Sequence, residues 1–196
     1  VLLGISRVID SISLVAPVLL ASVLGLSLIT ILAQPQGLAA NLAWIDPAKT
    51  AVPYWPLAAL LYTSYNLILS VAVLAPLGAL SGAVALRRGA VWGGLGLGAG
   101  VLAIAAAILT VAPQVAGLEV PMIAVAGLTS PYIRSFYSVV LFAEVYTTAV
   151  ASLYGFTSRL TEPDSRAYRG LAVLASAAAF ILARFGFSTI VGTLYP

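Results

Sequence analysis

Apolar residues run along almost the whole chain, broken at intervals by short stretches rich in proline, glycine and charge. All but the last of the long runs exceed the ~20 residues that carry a helix across a bilayer. Helical spans are therefore expected at about 5–33, 57–80, 90–112, 131–158 and 170–184, with the start of a further span from about 186. Pro17 falls inside the first, where a membrane helix tolerates it when neighbours repack. The pattern predicts an all-α, polytopic transmembrane helix bundle, treated as a single transmembrane helical domain over 1–196. The alternation that marks a β-barrel strand is missing.

The fourth span, PYIRSFYSVVLFAEVYTTAVASLYGFTS, departs from uniform apolarity. Glu144 lies near its middle with Thr147 and Thr148 three and four residues on, an offset that puts them on one helical face. Tyr137, Ser152 and Gly155 extend this stripe, and Val139, Val140, Phe142, Val145 and Ala149 are expected on the lipid side. An ionised carboxylate in hydrocarbon costs about 2.5–3.5 kcal/mol on insertion scales, so such a residue faces a cavity, a bundle interior or a partner. Glu144, Thr147 and Thr148 are accordingly the candidate ion-coupling residues. A hydrogen bond from Glu144 to a neighbouring Tyr or Ser would be the purely structural alternative.

The second span contains the polar cluster Tyr62, Thr63, Ser64, Tyr65 and Asn66, read as a candidate substrate-binding segment interrupting the helix at mid-membrane. Interrupted helices in transporters expose backbone groups that bind solutes and ions. Asn66 bonding a neighbouring helix would serve equally well as structure. Asp10, beside Arg7, reads as a helix-end charge at the water interface.

Between the first two spans, 34–56 reads as a loop, and Trp44, Tyr54 and Trp55 suit an interfacial aromatic belt. The segment 113–130 is too apolar for a solvated loop and is expected to hold a short helix at the interface or dipping into the bundle. In the third span, GGLGLGAG mimics a dinucleotide fingerprint, but no strand precedes it. Its glycines fit close helix packing instead, Gly94 with Gly98 and Gly96 with Gly100. Arg87 and Arg88, then Arg159, Arg166 and Arg169, are separated by two spans. The positive-inside rule places both loops, 81–90 and 159–169, in the cytoplasm.

Composition narrows the function classes. The 196 residues are 62% hydrophobic and 8% charged, with a mean hydropathy of +1.10, which indicates an integral membrane protein. The net charge of +3 comes from scattered arginines that form no basic stripe, so no nucleic-acid partner is expected. Without Cys or His, thiol chemistry, imidazole catalysis and Cys/His metal sites are unavailable, and no enzyme is expected. No cofactor is expected beyond a possible sodium ion at Thr147 and Thr148. With Val1 first and an apolar pattern still running at Pro196, the chain reads as a piece of a longer protein.

YTSYNLILSVAVLAPLG at 62–78, EVPMIAVAG at 119–127, TTAVASLYGFTSRL at 147–160 and STIVGTLYP at 188–196 resemble the C-terminal half of the YkvI-like membrane proteins. These in turn resemble the amino acid–polyamine–organocation superfamily with its LeuT-type inverted-repeat fold. The resemblance implies that the five spans are similar to helices five to nine of a ten-helix core, and that the second span matches the sixth helix, broken where substrate binds. It also implies that Thr147 and Thr148 sit where sodium-coupled members carry adjacent hydroxyl ligands on the eighth helix. Glu144 is not general in that superfamily, which leaves sodium and proton coupling both open. The expected partners are membrane lipids, a small-molecule or ion substrate and the N-terminal half of the same protein. The expected location is the cell membrane, a bacterial inner membrane. A sensor or assembly partner that keeps the fold without transporting is the alternative.

Overall fold

The computed structural model describes residues 5–44, 52–80, 82–162 and 165–186. Among them every regular element is helical. Helix α1 spans Ile5–Ala33, running through Pro17. A single turn, α2 (Gly37–Ala40), and a 3₁₀ turn at Leu42–Trp44 follow. Next come α3 (Trp55–Leu80), α4 (Ala83–Thr110), the turn α5 (Ala112–Val115), α6 (Pro121–Thr129), α7 (Pro131–Leu160) and α8 (Arg166–Leu182), the last closing in a 3₁₀ turn at Ala183–Phe185. The further segment expected from about 186 lies outside the described residues apart from Gly186.

Among the described residues, four helices are long and apolar enough to cross a membrane: Val8–Ala33, Ala83–Thr110, Pro131–Leu160 and Arg166–Phe185. A 28-residue helix such as α4 is about 42 Å long at ~1.5 Å per residue, enough for the ~30 Å hydrocarbon core and part of the headgroup layer.

The helix starts differ from those expected. Helix α4 begins at Ala83, so Arg87 and Arg88 sit in its first two turns, exposed, rather than in a loop. Helix α8 begins at Arg166 because Ser165 caps it: its hydroxyl accepts the Tyr168 N–H at 3.0 Å. Arg166 and Arg169 therefore ride on the first turn of α8, and Arg159 on the last turn of α7. Long arginine side chains let an apolar helix extend past the hydrocarbon while the charge stays wet, so charge alone placed the helix ends too far in.

The chain groups into two compact units, Val1–Ile12, Pro47–Leu80 and Thr147–Pro196 in one, Ser13–Asp46 and Ser81–Tyr146 in the other. The first has a small core in which Val8, Ala151, Tyr154 and Tyr168 are buried, with Ile12 and Val150 against them. The second has the larger core: Val23 and Leu26 of α1, Ala107 of α4, Val111, Val115 of α5, Met122, Val125 and Ala126 of α6, and Tyr137 of α7. Helix α6 thus buries one face in this core, as the apolar character of 113–130 leads one to expect. The glycine-rich stretch is wholly helical, and Gly96 and Gly100 meet α1: a Cβ there would lie 3.3 and 3.2 Å from the Leu20 side chain. Gly94 and Gly98 have nothing within 4 Å, so only one of the two expected glycine pairs makes a helix contact in this unit.

Candidate functional site

Helix α7 is 30 residues long and unbroken, and its side chains sort by face. Tyr137, Val140, Thr147, Ala151, Tyr154 and Gly155 are buried, while Glu144 is half-buried on the same side. Val139, Phe142, Val145 and Ala149 are exposed on the opposite side, in keeping with a lipid-facing stripe. Val140, read from sequence as lipid-facing, is instead buried. At ~100° per residue it lies between Tyr137 and Glu144 at the offsets that share a face, so it belongs with the packed residues.

The expected stripe is split. Thr147 is 4% exposed, whereas Thr148 and Ser152 are exposed. Thr148 is rotated ~40° from Glu144 on the side away from Val140, which carries it over the edge of the packed face. The two threonines read as one adjacent pair thus have different surroundings, Thr147 inside and Thr148 at the margin. Nearly three turns beyond Thr147, Thr157 is fully buried and donates to the carbonyls of Leu153 at 2.8 Å and Tyr154 at 3.1 Å.

Helix α3 overturns the expected break. It is continuous from Trp55 to Leu80, passing straight through the polar cluster. The cluster satisfies itself along the helix: Thr63 Oγ1 donates to the Ala59 carbonyl at 2.8 Å, Ser64 Oγ to Leu60 at 2.7 Å and Asn66 Nδ2 to Tyr62 at 2.8 Å. Ser70 donates to Leu67 at 3.0 Å. Tyr62 and Tyr65 pack edge to face with ring centroids 5.3 Å apart. Back-bonding to a carbonyl one turn earlier lets hydroxyl and amide side chains ride an intact helix, so a polar cluster needs no interruption. Tyr62, Thr63, Ser64 and Asn66 are exposed and Tyr65 is half-buried.

Two features were not anticipated from sequence. Ser27 is 1% exposed on α1, and its hydroxyl has no hydrogen-bond partner among the described residues. Thr30, three residues on, is also buried but donates to the Leu26 carbonyl at 2.9 Å. In the sequence both are small polar residues within an apolar run, with no periodic signal that would mark them as buried. Arg134 near the start of α7 borders two surface recesses, a setting that no motif or spacing in its span marks.

The chain is 30% identical over 156 residues to an uncharacterized membrane protein, YkvI, of Bacillus subtilis. The match covers 78% of this chain and 43% of the relative, so the chain spans less than half the length of the protein it resembles. No protein-family profile matches the chain, and no solved structure matches it. Together with the four apolar helices, the likeness establishes a membrane protein.

Proposed function

We propose that this chain forms part of an ion-coupled secondary transporter for a small polar, amino-acid-like solute, and that α7 carries the coupling residues. The observation that supports this most is the placing of Glu144 and Thr147 on the packed side of the middle of a membrane-crossing helix. A carboxyl group there is costly unless it works with a proton, a cation or a polar partner. Thr147 and Thr148 offer hard hydroxyl oxygens of the kind a sodium ion takes, and Glu144 offers a group that can bind and release a proton. Helix α3, 26 residues without an acidic or basic side chain, is counted here as a span as well, the second in chain order. The LeuT-type arrangement is part of the same proposal. Tyr62 to Asn66 then contribute to solute binding through exposed side chains rather than through an opened backbone.

Uptake by the full-length protein in proteoliposomes tests this. If sodium couples, Thr147→Val or Thr148→Val raises the sodium concentration for half-maximal uptake about tenfold or more, and Glu144→Gln keeps sodium dependence. If a proton couples, Glu144→Gln abolishes the response to a pH gradient. Unchanged ion dependence in all three variants would remove α7 as the coupling element. The chain has no native cysteine, so labelling tests the topology directly. Arg88→Cys and Arg166→Cys should resist an impermeant thiol reagent added outside, and Asp46→Cys should react.

The unbroken α3 favours a second reading, a membrane protein that senses or assembles without moving a solute. Absence of uptake for any solute, with specific binding of a partner protein, would select it.

A further inference from the structure

Arg134 lies in the first turn of α7, exposed, within the second unit. Its guanidinium makes no hydrogen bond or ion pair among the described residues. A cation near the end of a membrane helix reaches water or meets an anion. The stem of this one runs against α6 at Gly127, where a Cβ would lie 3.3 Å from Arg134 Cδ. A side chain at position 127 would press on the arginine, so glycine leaves the space in which the stem lies.

Two recesses open beside it, and Gly127 and Arg134 line both. The first, about 460 Å³, also includes Glu119, whose carboxylate disfavours an anion. The second, about 410 Å³, is completed by Pro131, Ser135 and Ser138 and has no acidic side chain. The Ser135 hydroxyl donates to the Pro131 carbonyl at 3.1 Å and that of Ser138 to the Arg134 carbonyl at 2.8 Å. The guanidinium is therefore the donor this recess offers to a guest.

We infer that the second recess is a binding site for an oxyanion, a carboxylate or phosphate group gripped by the Arg134 guanidinium. The planar fork of N–H donors matches two oxygens of such a group, which an ammonium does not. A free solute and a lipid headgroup both carry this chemistry. The site stands whether or not the chain transports anything, because binding alone reports it.

The test uses the full-length protein in dodecyl maltoside, a detergent without phosphate. Sodium acetate and inorganic phosphate are titrated at constant ionic strength against sodium chloride while the unfolding temperature is followed. The expected result is saturable stabilisation beyond that of chloride, with the midpoint raised about tenfold or more by Arg134→Gln. Arg134→Lys, which keeps the charge and loses the fork, should fall between. In a second arm, native mass spectrometry follows phosphatidylglycerol carried through purification. Lipid kept by the wild type and lost by Arg134→Gln, with acetate and phosphate no better than chloride, identifies the oxyanion as a headgroup. Equal response to all three salts together with equal lipid retention in wild type and variant would overturn the site. Should Arg134→Gln fail to fold, Arg134→Lys carries the same comparison.

Discussion

Helices α3 and α7 both set hydroxyl, amide or carboxyl groups into a long apolar run, and the chain treats them in opposite ways. On α3 the groups are mostly exposed and bond back to their own helix, so their polarity costs little. On α7 the polar positions are divided, with Tyr137 and Thr147 buried, Glu144 half-buried and Thr148 left at the margin. A polar cluster by itself thus says little about a site. What separates the two helices is whether the cluster coincides with the face that packs.

The sharpest way to break this contrast is to truncate one aromatic on each helix. Tyr154→Ala empties a buried position beside Val8, Ala151 and Tyr168 and should cost about 3–5 kcal/mol. Tyr62→Ala loses an exposed ring and its edge-to-face partner and should cost about 1 kcal/mol. Reversible unfolding of the detergent-solubilised protein measures both, and equal losses would mean that α3 packs as α7 does.

A middle-sized effect comes from the hydroxyls. Thr157→Val removes a buried donor serving two carbonyls and should cost about 1–2 kcal/mol, while Thr63→Val on α3 should stay within about 0.5 kcal/mol. The smallest effect is expected for Asn66→Ala, within about 0.5 kcal/mol, because the amide donates to a carbonyl of its own helix and is exposed. A loss above 2 kcal/mol there would show that Asn66 is bound by something the exposed face does not reveal.

Much of the helical order was legible because the apolar runs are long and their breaks carry proline, glycine or charge. The stripe on α7 followed from offsets of three and four, which periodicity fixes. Its edges did not follow, since Val140 and Thr148 sit at flanks of the face where only a packed neighbour decides which side is inside. The break expected in α3 is missing for a different reason. Counting polar residues cannot tell a helix that opens from one whose side chains return their hydrogen bonds to the turn before. The setting of Arg134 is not legible in sequence, because it depends on Gly127 of another helix, a distance the sequence does not contain.

One contact in the second unit has a mechanical meaning. Asn41, just past the turn α2, donates from Nδ2 to the carbonyl of Thr110 at 3.0 Å, at the last residue of α4. Gly37 comes so near that a Cβ there would collide with the same carbonyl oxygen. A helix end normally leaves such carbonyls to water. Here the protein closes this one itself, through a side chain from the segment that follows α1. Because α2 follows directly from α1, the same contact ties the trailing end of α1 to that of α4. In a thinner or thicker bilayer the two ends should rise or settle together, as one raft.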